Sequence, residues 1–328
     1  MQSFQKLFFY CSVSILFLSC DNKLDLLDDY KETPIIYGLL NISDTIQYIR
    51  VQKAYLGAGN ALLMAQNSDS IYYNKNDISV NLEESGNGIT TRIISLVVDD
   101  TITKDDGLFA EYPHLVYRTD SLIKLNKDAQ YKLVLNNSKT GKTISAITNI
   151  VGNLFAPNAL ATAVNIPLND NLLINFTPVK NGKVYGLNII FNYQEKELSS
   201  TGNFEHKSLD YSLPVIVNSN SNYSGLLTFA INGSDFYGFI ESHIPINHNL
   251  SRPVDKTSLD FVFNMGAEDF YIYYSINQPS TTVNQSIPEF TNLSDGKGVF
   301  SSRNHNVFPN IKLNGSSQDI LRSSERFE

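Results

Sequence analysis

The sequence predicts an all-β fold with two β-sandwich-like domains, the first of which is Ig/fibronectin-like. Three observations lead to this prediction. A chain of 328 residues fits two domains of ordinary size. Asn occurs 36 times and favours turns over helices, while 11% of the residues are aromatic. Short alternating or β-branched segments recur along the chain, and no window shows a long helical period.

Residues 1–19 form the predicted signal peptide of a lipoprotein. Lys6 is followed at residues 7–18 by an uncharged, mostly apolar run, which is too short to span a membrane but suits a signal peptide. Residues 17–20 (FLSC) resemble a bacterial lipobox, so we expect the Cys20 thiol to carry acyl chains such as palmitate. The alternative is a plain secretory signal with an incidental cysteine. Because Cys11 is removed with the signal peptide, Cys20 is then the one remaining thiol, and no disulfide can form within the processed chain.

Residues 20–32 form an acidic tether that begins at the lipidated cysteine. Acidic residues in this position resemble a bacterial signal for export to the cell surface. A solvated spacer between the membrane and the folded body explains the composition equally well, and both interpretations stay open.

Residues 33–150 form the predicted Ig-like domain. Residues 77–84 alternate between apolar and polar side chains, and Gly86-Asn87-Gly88 supplies the backbone conformations of a hairpin turn. Residues 61–66 could form a helical turn. The predicted strands are 34–40, 45–56, 77–84, 89–98, 131–135 and 143–150. This spacing is typical of a β-sandwich.

Residues 151–167 form the predicted linker, because glycine and proline occur there without sustained alternation. Residues 168–328 form the predicted second β domain. Its expected strands are 172–176, 184–193, 214–217, 225–232, 258–265 and 270–276. The last of these lies in the most helix-like stretch, 267–277, but its aromatic and β-branched content favours a strand.

No catalytic or cofactor-binding motif is found in the sequence. Residues 140–143 (TGKT) resemble the end of a phosphate-binding loop, but Asn136 stands where the required glycine would be, and the flanking segments indicate a hairpin. A dispersed pair of catalytic carboxylates stays open, because sequence does not reveal which acidic residues meet in space.

No metal site is predicted either. Glu241, His243 and His248 lie close together in sequence, and residues 241 and 243 would share a face of a strand. Surface or turn histidines are the favoured interpretation. The acidic pairs at 99–100 and 105–106 lack the spacing of a calcium loop, which favours a solvated loop.

The net charge of −8 provides no overall electrostatic attraction for nucleic acid. Glycan binding by aromatic stacking is weakened by the absence of Trp, and most tyrosines are expected in the core or on strand faces. The tyrosines considered for stacking are Tyr48, Tyr72, Tyr73, Tyr271, Tyr273 and Tyr274.

Four short motifs in the first half of the chain read Asp, then Ser or Thr, then an aliphatic residue. They resemble the O-glycosylation sequon of Bacteroidota envelope proteins. Chance in a chain rich in these residues is the alternative. The hydroxyl residues concerned are Thr45, Ser70, Thr101 and Ser121.

Three features together resemble a family of Bacteroidota lipoproteins that carries a domain of unknown function. These are the lipobox cysteine, the segment 34–40 (PIIYGLL) with the hairpin 131–148, and a C-terminal segment around Asn292, Gly296, Gly298 and Phe300. The resemblance implies an envelope-anchored, two-part β protein whose gene lies beside that of an outer-membrane transporter. It carries over no catalytic residue.

These observations predict a lipid-anchored protein of the outer membrane, on its periplasmic face or at the cell surface. We expect a non-catalytic binding or accessory module without a cofactor, whose partners are the membrane, a transporter or other envelope protein, and a glycan. A structural or adhesive role and a glycan-acting hydrolase are the alternatives.

Overall fold

A computed structural model describes residues 32–54, 61–105, 107–110, 112–160, 163–220, 223–278 and 289–328. The predicted signal peptide, Cys20 and nearly all of the tether lie outside the described residues. The fold class is all-β, as predicted, with 43% of the described residues in strands and 16% in helices.

The first unit is an immunoglobulin-like sandwich of two facing sheets. One sheet has the strand order β1-β2-β6-β5, and the other has the order β4-β3-β7-β8. Fully buried Ile36, Ile49, Leu82 and Leu133 lie in the core between them. The strands are β1 (Thr33–Asn41), β2 (Tyr48–Ala54), β3 (Ile78–Gly86), β4 (Ile89–Ser95), β5 (Val97–Asp99), β6 (Val116–Arg118), β7 (Gln130–Asn137) and β8 (Lys142–Asn149).

The local sequence explains the β3–β4 hairpin and its register. Asn87 and Gly88 adopt φ of 50° and 78°, the left-handed conformations that the predicted turn requires. Ile78, Val80 and Leu82 then point into the core, as their alternation predicts. Two short helices, α1 (Ala61–Ala65) and α2 (Ser68–Ile71), lie in the long connection between β2 and β3.

Tyr131 forms a tyrosine corner, a feature of immunoglobulin-like domains. Its hydroxyl accepts a hydrogen bond from the Asn126 N–H at 2.7 Å and donates one to Glu84 Oε2 at 2.6 Å. Arg92 forms an ion pair with the same carboxylate. Burial opposes the charged form of Glu84, but the hydrogen bonds from Tyr131 and Arg92 outweigh it and hold the pKa of this carboxyl below its ordinary value.

Substitution of Tyr131→Phe is expected to lower the free energy of unfolding by about 1–3 kcal/mol at neutral pH, because two buried hydrogen bonds are lost. The depressed pKa of Glu84 stabilises the fold above the ordinary carboxyl pKa, and this contribution is lost as pH falls through the folded-state value. The difference between wild type and variant should therefore shrink in acid. Urea titrations at several pH values measure it.

Tyr117→Phe is the matched control, since the Tyr117 side chain is also largely buried and no hydrogen bond links its hydroxyl to another described residue. A Tyr131→Phe effect that equals the Tyr117→Phe effect, or that does not change with pH, would contradict the role assigned to the corner.

The second unit is a four-stranded sheet covered on one face. The sheet order is β11-β10-β15-β16, and the short strands β12 and β14 also pair with β10. A two-stranded sheet, β9-β13, and two helices, α3 and α5, pack on the inner face. The strands are β9 (Asn171–Phe176), β10 (Val184–Glu197), β11 (Glu205–Ser212), β12 (Ile216–Val217), β13 (Leu227–Asn232), β14 (Leu250–Ser251), β15 (Ser258–Gly266) and β16 (Lys297–Ile311). The helices are α3 (Gly233–His243), α4 (Glu268–Ile276) and α5 (Gly315–Ser323).

Strand β16 belongs to both units. Residues 297–303 pair in parallel with β1, and residues 303–311 pair antiparallel with β15. One ten-stranded sheet therefore runs through the whole protein. Residues 297–303, which the sequence analysis assigned to the second domain, extend a sheet of the first.

Residues 151–167, the expected linker, are packed rather than solvated. Val151, Leu154 and Ile166 are buried in the core of the second unit. The Asn304 amide donates to the Gly152 carbonyl at 2.9 Å and so attaches the segment to β16.

Two expectations about local structure are wrong. Residues 270–276 form helix α4 rather than a strand, because the helix packs on β16, where the Phe270 N–H donates to Ser301 Oγ at 3.1 Å. This tertiary contact overrides the β propensity of the segment. Glu241 and His243 lie on helix α3 and not on a strand, so they do not share a face.

Candidate functional site

A groove of about 840 Å³ lies where the two units meet. Lys127 and Asp128, in the turn before β7, contribute one side. The segment 152–159, strand β9 with residues 177–180, and Leu226 line the rest of the groove. The groove thus depends on four segments that are separate in sequence.

Exposed apolar side chains surround the groove. Phe155 is 90% exposed, Leu226 is 69% exposed and Leu173 is 51% exposed. The alternation of β9 explains Leu173, because Ile174 and Phe176 point into the core and leave Leu173 on the outside. Clustered exposed apolar side chains mark interaction surfaces more often than isolated ones do.

The backbone of β9 also has binding capacity. Within the described residues, β9 pairs with β13 along one edge, and no strand pairs with the other edge. Such an edge presents unpaired N–H and C=O groups that an extended segment can use. Lys180 and Asp128 form an exposed ion pair across the rim at 3.6 Å, which contributes little stability.

The predicted glycosylation residues lie in different surroundings. Thr45, Thr101 and Ser121 are exposed in loops that follow β1, β5 and β6. The Thr101 hydroxyl donates to Asp99 Oδ1 at 2.7 Å. Ser70 lies in helix α2 and is half-buried. Cys20 lies outside the described residues.

The tyrosines considered for glycan stacking separate into two groups. Tyr72 and Tyr73 are buried, which removes them from contact with a ligand. Tyr48 is exposed on β2, while Tyr271, Tyr273 and Tyr274 lie on α4. Tyr273 is directed at β1, where its hydroxyl lies 3.2 Å from that of Tyr37, and burial together with this hydrogen bond raises the pKa of Tyr273 to about 12.

The described residues include no group of three or more His, Cys, Asp or Glu side chains that could hold a metal ion. His243 lies in the last turn of α3, where its ring packs on Phe239 at 4.2 Å. Glu241 faces Arg326 at 3.9 Å. Residues 140–143 lie at the β7–β8 turn, as the hairpin interpretation predicts.

Sequence reasoning missed the groove and all of helices α3 and α5. Both helices had a recognisable signal, since Asn-Gly-Ser begins each of them. The Asn232 and Asn314 side chains accept hydrogen bonds from the N–H groups of Asp235 and Ser317, the arrangement of a helix N-cap. No local signal marks the groove, because its walls become neighbours only in the folded chain.

The fold defines an all-β protein built from two sandwich-like units that share a strand. No helix in the described part of the chain has the length and apolar character needed to cross a membrane. No protein-family model matches the sequence, and no curated protein matches it.

Among solved structures, the chain is similar to the C-terminal globular domain of an oligosaccharyltransferase from Pyrococcus abyssi. The identity is 13% and the TM-score is 0.23, over 71% of this chain and 47% of that chain. This chain therefore spans about half the length of the matched structure, and the low score carries no argument about function.

Proposed function

We propose that this protein is a lipid-anchored binding module of the outer membrane that holds an envelope partner, such as a transporter subunit, in the groove between its two units. The proposed anchor is Cys20, and the proposed role is non-catalytic. The observation that carries the proposal is the 840 Å³ groove with its exposed Phe155, Leu173 and Leu226. Binding sites occur preferentially at the junctions of domains.

The position of the groove relative to the tether supports this proposal. Asn137, at the end of β7, donates to Glu32 Oε1 at 3.2 Å, so the chain enters the fold at this end of the sandwich. The groove residues Lys127 and Asp128 precede the start of β7 at Gln130. A strand of this length spans roughly 25 Å, which separates the groove from the point where the tether arrives.

The test is recovery of a cross-linked partner from native envelopes. Wild-type protein should give a defined cross-linked species, and the double variant Leu173→Ser/Leu226→Ser should lose it because the apolar wall becomes polar. Leu122→Ser is the control, since Leu122 is 87% exposed and does not line the groove. A species that survives in the groove variant, or no species with wild type, would refute the proposal.

Fractionation of the same cells tests the anchor. Cys20→Ser should move the protein from the membrane fraction to the soluble fraction, because the acyl chains that hold it are absent. If this variant stays in the membrane fraction, the lipid-anchor part of the proposal fails, while the groove result stands separately.

A further inference from the structure

The outer face of the four-stranded sheet packs against helix α4 near Gly266, which the Phe270 ring approaches, and is exposed along β11. It lies opposite the face that packs on β9 and β13, because inward side chains such as Phe263 meet Phe176 and Phe229 at ring distances of 5.5 and 6.0 Å. Most of the outward side chains are polar, and Val184, Ile190, Val262 and Val307 are apolar exceptions. The polar side chains include Asn188, Asn192 and Gln194 on β10, His206, Ser208, Asp210 and Ser212 on β11, and Asp260 and Asn264 on β15.

Hydrogen bonds hold several of these short side chains in place. Asn192 Nδ2 donates to Asp260 Oδ2 at 2.9 Å, and the Asn310 N–H donates to Asp260 Oδ1 at 2.7 Å. Asn188 Nδ2 donates to Asp210 Oδ1 at 3.0 Å. A solvent-facing sheet is ordinarily polar, but side chains that are already fixed lose less entropy when they bind a ligand.

A pocket of about 570 Å³ lies over one part of this face. Asn192, Gln194, Ser208 and Asn310 supply neutral donors and acceptors there. Its charged lining residues are Lys207, Lys256, Lys312, Asp255 and Asp260. The lysines outnumber the acids, although the whole chain has a net charge of −8.

Two of the lysines are positioned by groups other than a carboxylate, although Asp255 and Asp260 also line the pocket. The Lys256 ammonium lies 3.4 Å from the centroid of the Phe204 ring, and Lys312 Nζ donates to the Thr257 carbonyl at 3.1 Å. Neither forms an ion pair within the described residues, whereas Lys207 pairs with Glu205 at 3.0 Å. The Phe204 ring therefore positions the Lys256 ammonium at the pocket without neutralising its charge. The Thr257 carbonyl does the same for the Lys312 ammonium.

We propose that this pocket binds an anionic sugar of the hexuronate class. Lys256 and Lys312 face the carboxylate, and Asn192, Gln194 and Ser208 bond to the hydroxyls. Amide side chains suit hydroxyls because they both donate and accept, and a carboxylate gains most from a charged donor. The pocket volume lies in the range of small-molecule sites. This site is separate from the groove and does not depend on the proposed function.

Calorimetric titration with glucuronate at low ionic strength tests the inference, with glucose and acetate as matched probes. Wild-type protein should bind glucuronate at least tenfold more tightly than glucose or acetate. The variant Lys256→Gln/Lys312→Gln should bind it at least tenfold more weakly, and Lys139→Gln, in the distant β7–β8 turn, should bind as wild type does.

Gln194→Ala is a second variant on the hydroxyl side, and it should weaken glucuronate binding while leaving the thermal midpoint unchanged. The inference would be overturned by equal affinity for glucose or acetate, by unchanged affinity in the double lysine variant, or by no glucuronate binding to wild-type protein. Each of these results leaves the groove proposal untouched, since cross-linking tests that proposal independently.

Discussion

Substitution of Gly298→Ala is expected to lower the free energy of unfolding by about 3 kcal/mol or more. Gly298 has a φ of +112°, and a Cβ atom there would lie 2.0 Å from the Ile36 carbonyl oxygen. The obstacle is the backbone of β1, which pairs with β16 at this position, so it cannot move away without breaking the parallel pairing. Both the strained conformation and the steric overlap oppose the folded state.

Gly88→Ala separates these two effects. Gly88 also has a positive φ, of +78°, but no atom lies within 4 Å of the position its Cβ would take. We expect a cost of about 1 kcal/mol from conformation alone. Chemical denaturation of both variants measures the comparison. Equal losses of stability at the two positions would contradict the close approach of the Ile36 carbonyl to Gly298.

Substitution of Phe300→Ala is expected to cost about 3–5 kcal/mol, because it leaves a cavity beside β1. Phe300 is fully buried and pairs in register with Gly38. A Cβ on Gly38 would lie 2.4 Å from Ile49 Cδ1 and 3.1 Å from the Phe300 ring, so the glycine makes room for both side chains.

Phe155→Ala is the control for this second prediction. Phe155 is almost fully solvent-exposed at the groove, and its truncation should change stability by no more than about 0.5 kcal/mol. Thermal denaturation followed by circular dichroism measures both variants. A Phe300→Ala cost as small as that of Phe155→Ala would contradict the packing assigned to β16.

Residues 34–40 and the C-terminal segment around Phe300 meet in the fold. Gly38 lies in the segment 34–40, and Phe300 lies in the C-terminal segment. Asn292 holds the C-terminal segment in shape, because its side chain donates to the Phe300 carbonyl at 2.7 Å and accepts from the Phe300 N–H at 3.0 Å. Gly38, Asn292 and Phe300 therefore each have a structural role that requires no ligand.

The sequence predicted the parts of the fold that local patterns determine. The alternation of β3, the Asn87-Gly88 turn and the β7–β8 hairpin follow from side-chain period and turn chemistry. Strand β16 could not be found in this way, because buried Ser301, Ser302 and Asn304 interrupt its apolar character. Their polar groups are satisfied by distant partners, such as the Asn149 carbonyl that accepts from Ser302 Oγ at 2.6 Å.

The candidate site was less predictable than the fold. Leu173 and Leu226 are leucines, the same residue type as many core residues, and the exposure of Leu173 results from its alternation with buried Ile174 and Phe176 on β9. The pocket proposed to bind an anionic sugar also depends on tertiary structure. Contacts with Phe204 and Thr257 position the ammonium groups of Lys256 and Lys312 at this pocket.

If β16 joins the two units into one cooperative structure, calorimetry of protein produced without residues 1–20 should show one thermal transition whose calorimetric and van't Hoff enthalpies agree. Gly298→Ala should shift that whole transition to lower temperature. Two separate transitions, with Gly298→Ala shifting one of them alone, would contradict the joining of the two units by β16.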